Sequence, residues 1–224
     1  GVPNYLLSVA ITPDGRSAWV GSLEANVLRG QARDGQALTF ETTLRSVISI
    51  VDLEAGAEVP DARVDMDNQE LPTSITFSDD GAFAFLSYQG NNEVLVLSTG
   101  GVDGYRNRFE GFQIIDRIPA GRAPRGVALD PVTGNLFIHS FLSRSVSQVA
   151  LDTQGAGKFQ EAASGDRWYS GFVAGRALIS ETVTVDREQL QPLVLRGKKL
   201  FYDASDTRIS KDGYIACATC HLDG

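Results

Sequence analysis

Alternation of apolar and polar positions dominates the first 185 residues, and it recurs in three segments. Residues 6–21, 72–87 and 124–140 each hold two alternating runs separated by a turn that contains glycine. Alternation over such short runs is typical of half-buried β-strands, and Asp-Gly between two runs, as in the first two segments, is a strong hairpin signal. Each of the three segments therefore predicts a β-hairpin.

Two further strands follow each hairpin in the same pattern. The predicted third strands are residues 46–52, 93–97 and 145–151, and the predicted fourth strands are residues 57–66, 112–118 and 177–185. Four antiparallel strands form one blade of a β-propeller. We predict an all-β fold: a partial propeller of about three four-stranded blades over residues 1–185, with insertions at residues 24–43, 100–110 and 154–169.

The predicted propeller is incomplete within this sequence. Propellers close with about 4–8 blades, and three are visible here. We expect the remaining blades to come from other parts of a parent protein or from a second copy.

A short helical segment is predicted after the last strand, over residues 186–224. Asp186 is a suitable N-cap for a helix that opens at residues 186–189, and Pro192 suits a first helical turn. Apolar residues at helical spacing, Leu200 and Phe201 among them, continue the helix.

Charge excludes two classes of partner. The formal net charge is −8 and the sequence pI is near 4.8, which disfavours nucleic acids and anionic membranes. No run of apolar residues is long enough to span a bilayer.

The only two cysteines form a Cys-x-x-Cys-His motif: Cys217, Cys220 and His221. This spacing is typical of covalent haem c attachment, with two thioether bonds from the cysteines and the histidine as axial ligand of the haem iron. The alternatives are a free redox Cys-x-x-Cys, which is usually found near a βαβ unit, and half of a zinc site, which needs four ligands. Neither a βαβ pattern nor a second Cys/His pair is present in the sequence.

The repeats resemble the YVTN-type propeller repeats of bacterial surface and periplasmic proteins. The shared pattern is P-x-x-[IV]-[AT]-[LF]-x-x-x-x-G, an apolar strand and then N/S-x-V-x-V, and it covers roughly residues 4–185.

The approach to the cysteines resembles the start of the bacterial di-haem cytochrome c peroxidase/MauG family. Residues 195–203 match its G-x-x-LF-x-D stretch, and residues 208–221 match its R-x-S-x-D-G-x-I-x-C-x-x-CH stretch. The resemblance implies a haem domain that begins at residue 186, with two haems in the whole protein and electron transfer to a peroxide or related oxidant.

Two functions stay open at this point. The first is part of an exported, periplasmic or cell-surface c-type cytochrome with peroxidase-like activity, in which the propeller is a scaffold or docking domain. The second is a non-enzymatic electron-transfer or surface-binding propeller protein with a haem relay. Both imply a redox partner protein or the remaining part of the parent chain as partner.

Other residues with chemical potential are expected to have structural roles. His139 lies on a predicted strand and Met66 on a predicted fourth strand, so neither is our choice as a haem ligand. Packing is the expected role of Trp19 and Trp168. The turn aspartates Asp14, Asp79 and Asp80 fit hairpin chemistry without calcium.

Overall fold

Most of the chain is arranged as consecutive antiparallel sheets. The structure is a computed structural model that describes residues 3–25, 44–66, 68–99, 113–151, 159–161, 167–169, 177–210, 213 and 215–221. The predicted insertions at residues 24–43 and 100–110 lie almost wholly outside the described residues. Among the described residues, no helix is long and apolar enough to cross a membrane.

The first sheet has five strands, of which the last two occupy the position of one interrupted fourth strand. Its strands are β1 (Pro3–Ile11), β2 (Ser17–Ala25), β3 (Leu44–Asp52), β4 (Ala57–Glu58) and β5 (Val64–Met66). Both β4 and β5 pair with β3, and a single turn of 3-10 helix, Pro60–Ala62, separates them. Proline has no N–H to donate to a neighbouring strand, which accounts for the interruption of the predicted fourth strand at this point.

The second and third sheets are four-stranded meanders, as predicted. The second is formed by β6 (Pro72–Phe77), β7 (Phe83–Tyr88), β8 (Glu93–Ser98) and β9 (Gln113–Pro119). The third is formed by β10 (Pro124–Leu129), β11 (Leu136–Ser140), β12 (Ser145–Ala150) and β15 (Ala177–Val183). A two-stranded hairpin of β13 (Phe159–Glu161) and β14 (Arg167–Tyr169) lies within the third predicted insertion.

The hairpin turns use their aspartates internally. In the first turn Thr12 Oγ1 donates to Asp14 Oδ1 at 2.6 Å, and Gly15 takes a φ of 70°. In the second turn Ser78 Oγ donates in the same way to Asp80 Oδ1, also at 2.6 Å. The carboxylates of Asp14 and Asp80 therefore stabilise the turns, as hairpin chemistry predicts.

The second sheet is covered on both faces. Every residue of β7 is buried. Ala84, Leu86 and Tyr88 belong to a core shared with the first sheet, whereas Phe83 and Phe85 belong to a core shared with the third sheet. The inner strands β1, β6 and β10 are neighbours in space. Sheets stacked face to face around their first strands are the blades of a β-propeller, and the chain is an all-β partial propeller.

The outward faces of the two terminal sheets expose large apolar side chains. On β1, Leu6, Val9 and Ile11 are exposed, and on β15 Leu178 and Val183 are exposed. In the second sheet the equivalent faces are covered by neighbouring blades. These exposed faces fit the predicted incomplete propeller, because a further blade on each side would cover them.

Two short helices follow the third sheet. The helix α1 spans Pro192–Phe201 and α2 spans Cys217–Cys220. The prediction that a helix opens at residues 186–189, with Asp186 as N-cap, is wrong: the cap is Gln191, whose ψ of 147° is extended. A residue before proline avoids helical backbone angles, so the helix begins at Pro192 itself.

We expect Phe85→Ala to lower the free energy of unfolding by about 3–5 kcal/mol, because it opens a cavity between the second and third sheets. Phe85 is fully buried. Val132→Ala, at a turn position that is 89% exposed, is the control and should change stability by less than about 0.5 kcal/mol. Urea denaturation measures both, and equal effects of the two variants would contradict the packing described.

Candidate functional site

The C-terminal segment packs on one end of the propeller. That end carries the loops that lead into the inner strands, residues 68–71 and 120–123, and the loops between second and third strands, residues 89–92 and 141–144. The backbone N–H groups of Ala204 and Ser205 both donate to the Gly90 carbonyl oxygen, at 2.9 and 3.2 Å. The segment is therefore hydrogen-bonded directly to the backbone of the second blade.

On this end, each loop that leads into an inner strand is hydrogen-bonded to the loop between the second and third strands of the same blade. The residue that accepts this bond has an unusual backbone conformation. Leu71 and Ala123, each before a proline, have positive φ values of 53° and 52°. Their carbonyl oxygens accept hydrogen bonds from the N–H groups of Gln89, at 3.1 Å, and Phe141, at 2.9 Å. Left-handed backbone at a residue other than glycine costs roughly 1–2 kcal/mol. Because this conformation recurs in two blades, we infer that these hydrogen bonds hold the loops in place at this end of the propeller.

Asn91 ties the second blade to the stretch just before the cysteines. Its Oδ1 accepts from the Glu70 N–H at 2.7 Å, and its Nδ2 donates to the Gly213 and Asn68 carbonyl oxygens at 3.1 Å each. A single amide side chain thus bonds three backbone groups, two from the loop at residues 68–71 and one from the C-terminal segment.

Asn92 makes the equivalent connection to the end of α1. Its Nδ2 donates to Asp203 Oδ1 and Ser205 Oγ at 3.1 Å each, and its Oδ1 accepts from the Ala123 N–H at 2.9 Å. Asp203 also forms an ion pair with Arg122, so the turn after α1 is held by two blades.

Apolar packing completes the contact. Ala123 and Leu142 from the propeller form a buried cluster with Tyr202 and Ala218, and Phe141 and Phe201 pack against it. The Phe141 and Tyr202 rings meet edge to face at 5.9 Å between centroids. Because Ala218 lies in α2, this cluster fixes the short cysteine-bearing helix on the propeller.

Glu70 is the most unusual residue of the site. It is fully buried, and its Oε1 accepts a 2.6 Å hydrogen bond from Thr219 Oγ1 in α2. Burial raises the pKa of Glu70 from 4.5 to about 8, although the Thr219 hydrogen bond and the charge of Arg125 act in the opposite direction. At neutral pH the carboxyl is therefore mostly protonated. Thr219 Oγ1 in turn accepts from the Ala216 N–H at 2.9 Å.

These contacts fix which side of α2 faces the propeller. Ala218 and Thr219 are buried, whereas Cys217, Cys220 and His221 are exposed. Both cysteines are free thiols, and the His221 N–H donates to the Cys217 carbonyl oxygen at 3.0 Å. Two accessible thiols and an imidazole on one helical turn are a donor set that fits covalent haem attachment.

The other candidate residues lie away from this turn. His139 is exposed on β11, and Met66 is buried in the core between the first and second sheets. Trp19 is buried there too, edge-on to Phe77 at 5.1 Å, which gives it the expected packing role. The side chain of Trp168 lies outside the described residues. In the part of the chain that the structure describes, no three His, Cys, Asp or Glu residues are grouped so as to hold a metal ion.

The propeller side of the site was missed by sequence reasoning. Glu70, Asn91, Asn92 and Arg125 were not singled out. A signal was present in the repeats, because residues 89–92 of the second blade are Gln-Gly-Asn-Asn where the third blade has Phe-Leu-Ser-Arg.

Comparison with known proteins shows the fold and not a family. No family model matches the chain, and no curated protein matches it. Hydrazine synthase of Kuenenia stuttgartiensis is similar in structure, with a TM-score of 0.56, 18% identity, and coverage of 67% of this chain and 46% of that one.

Two further similar structures score lower. The β-propeller domain of Cps50 (Swd1) from Myceliophteria thermophila has a TM-score of 0.46 at 13% identity, covering 89% of this chain and 44% of that one. The dihydro-heme d1 dehydrogenase NirN has a TM-score of 0.42 at 15% identity, covering 79% of this chain and 28% of that one. Scores this low support no argument, and the chain spans less than half the length of all three proteins.

We expect Gly90→Ala to weaken the packing of the C-terminal segment. A Cβ at Gly90 would lie 2.2 Å from Glu70 Oε2 and 2.9 Å from the Ala204 Cβ, so the segment must shift. Gly197→Ala in α1 is the matched control, since its Cβ would meet nothing within 4 Å. It should stabilise α1 by roughly 0.5–1 kcal/mol. Hydrogen exchange at residues 202–205 measures the difference, and unchanged protection in Gly90→Ala would contradict the contact.

We expect Glu70→Gln to remove a pH dependence of stability. The pKa of Glu70 is raised from 4.5 to about 8 in the folded chain, so the folded state binds the extra proton across that interval. Stability from this group is therefore full below about pH 4.5 and falls as the pH rises to about 8, by about 1.4 kcal/mol per pH unit at most. The difference between wild type and Glu70→Gln in urea titrations from pH 5 to 8 should show this slope, and parallel curves would count against a buried neutral acid.

Proposed function

We propose that the chain is part of an exported c-type cytochrome whose propeller holds the attachment turn of a covalent haem c. Cys217 and Cys220 would form the two thioether bonds, and His221 would be the axial ligand of the iron. The observation that carries the proposal is the orientation of α2, which turns both free thiols and His221 away from the propeller while Ala218 and Thr219 face it. A bound haem would supply one-electron chemistry at this surface.

The role of this chain's own residues follows from the contacts. Glu70 and the apolar cluster fix α2 by its inner side, and Asn91 and Asn92 fix the loops before it. The two thiols are thereby presented at a constant distance from each other and from the imidazole. A rigid attachment turn needs little reordering when both bonds form to one rigid macrocycle.

The proposed organisation is a propeller over residues 1–185 and the beginning of a haem domain over residues 186–224. The resemblance of residues 195–221 to the di-haem cytochrome c peroxidase/MauG family supports a peroxidase-like oxidoreductase as the whole protein. The resemblance of residues 4–185 to YVTN-type repeats supports a periplasmic or cell-surface location, as does haem attachment, which takes place outside the cytoplasm. The remaining part of the parent chain or a redox protein would be the partner.

A second candidate function is electron relay without catalysis. It is favoured by the exposure of Cys217, Cys220 and His221, because a haem on an exposed turn can exchange electrons with a docked protein. Peroxide turnover by the whole protein distinguishes the two functions. Turnover at a rate above that of free haem favours the peroxidase, and reduction by a donor without turnover favours the relay.

We expect co-expression with a cytochrome c maturation system to give a chain that carries one covalent haem. Mass spectrometry of the C-terminal peptide should show the adduct, and the double variant Cys217→Ser/Cys220→Ser should lack it. His221→Ala should change the visible spectrum of the bound haem, whereas His139→Ala, the control at the only other histidine, should not. The absence of an adduct on the wild-type chain would contradict the proposal.

A further inference from the structure

A cleft of about 270 Å³ lies where the inner strands meet the C-terminal segment. Its lining residues come from all three blades and from that segment: Leu7, Leu71, Thr73, Gln89, Arg125, Tyr202 and Ala218. The cleft is thus separate from the exposed side of α2 that carries the cysteines.

Three of the lining residues occupy equivalent positions in the repeats. Leu7, Thr73 and Arg125 are each the second residue of the repeated segment, at the point where the register of the inner strand shifts. The side chain at this position differs from blade to blade: leucine, threonine and arginine. The propeller fold therefore does not require a cation at this position. The presence of Arg125 in the third blade needs a different explanation.

Arg125 is held in a defined orientation. Its Nε donates to Gln89 Oε1 at 2.6 Å, and its Cζ lies 4.2 Å from the centroid of the Phe141 ring and 5.4 Å from that of the Tyr202 ring. Neither terminal nitrogen donates to another of the described residues. A guanidinium fixed at Nε and stacked on rings presents the remaining N–H groups as a planar fork.

The charge of Arg125 is not neutralised by an ion pair. The neighbouring Arg122 and Arg144 pair with Asp203 and Glu188, but no carboxylate of the described residues lies within 4 Å of the Arg125 nitrogens. The charge of Arg125 acts to lower the pKa of Glu70, but burial raises that pKa to about 8. The Glu70 carboxyl is therefore mostly neutral at pH 7. The cleft therefore combines apolar walls with one uncompensated cation.

We propose that this cleft binds the carboxylate of a small, partly apolar acid, to which the two terminal nitrogens of Arg125 would donate bidentate hydrogen bonds. Leu7, Leu71 and Tyr202 would cover the apolar part. The volume is slightly below that of a typical drug-sized site, about 300–1,000 Å³, which limits the occupant to a small group. Such a carboxylate has two possible sources: a free monocarboxylic acid, or a carboxylate side group of a haem attached to the neighbouring α2.

The test uses benzoate as the probe and the full chain produced without haem. Isothermal titration should show saturable binding of one benzoate, with the neutral amide benzamide at least 10-fold weaker. Arg125→Gln should lower the affinity for benzoate at least 10-fold, and Arg125→Lys should lower it less. Arg45→Gln removes an arginine that is ion-paired with Asp65 on the first sheet, and as the control it should leave binding unchanged.

A second variant keeps the arginine and changes its hydrogen-bond partner. Gln89→Glu places a carboxylate where Gln89 Oε1 now accepts from Arg125, so it should compete internally and weaken benzoate binding at least 10-fold. Equal affinity for benzoate and benzamide, unchanged binding in both Arg125→Gln and Gln89→Glu, or no saturable binding to the haem-free wild-type chain would each overturn the proposal.

The haem-loaded chain distinguishes the two sources. Benzoate affinity that is unchanged after haem loading would identify a free acid as the occupant, and affinity lost after loading would identify the haem carboxylate. The haem-free titration does not depend on haem attachment, so failure of the proposed function and failure of this inference are seen in separate experiments.

Discussion

The burial of the second sheet on both faces is the constraint on which the rest of the structure depends. Alternate side chains of β7 enter two different cores, one on each side. The loops at residues 68–71 and 89–92 therefore extend from the best-packed part of the chain. Because native packing is dense and resists deformation, these loops provide a firm surface for the C-terminal segment.

The contact between propeller and C-terminal segment is polar at its centre, which favours one arrangement over many. A buried carboxyl is costly when it is charged, and the raised pKa of Glu70 keeps it mostly neutral while its Oε1 accepts from the Thr219 hydroxyl. Asn91 and Asn92 add hydrogen bonds to partly buried groups of the loops and of the C-terminal segment. A shift of the segment by one residue would leave several of these groups unsatisfied, so the network specifies register as well as attachment.

Local sequence pattern predicted the blades well, and it predicted little of the contact between them and the C-terminal segment. Strand alternation and the Asp-Gly turns are local, so the hairpins at β1–β2 and β6–β7 follow from a few neighbouring residues. The prediction that Pro192 lies in the first turn of a helix is confirmed, whereas the earlier opening at residues 186–189 is wrong, because the N-capping preference of Asp186 does not make a helix where no helical turn follows it.

The cysteine motif was also visible in the sequence, whereas the orientation of its helix was not. That orientation depends on the hydrogen bond between Glu70 and Thr219, which are 149 residues apart. A pair so distant leaves no periodicity, and Glu70 before Leu71 and Pro72 has the pattern of an ordinary polar loop residue. Its burial is decided by a segment that sequence pattern alone does not bring to it.

The placement of Thr219 between the two cysteines has a mechanical consequence. Thr219 bonds to the propeller, and Cys217 and Cys220 would carry the bound group. All three belong to the same four-residue helix, so no linker separates them. Any displacement of the second blade would therefore be passed to the thiols almost undiminished. The propeller and the group bonded to Cys217 and Cys220 would therefore move as one rigid body. Only the length of a cysteine side chain would separate that group from the helix that is fixed on the propeller.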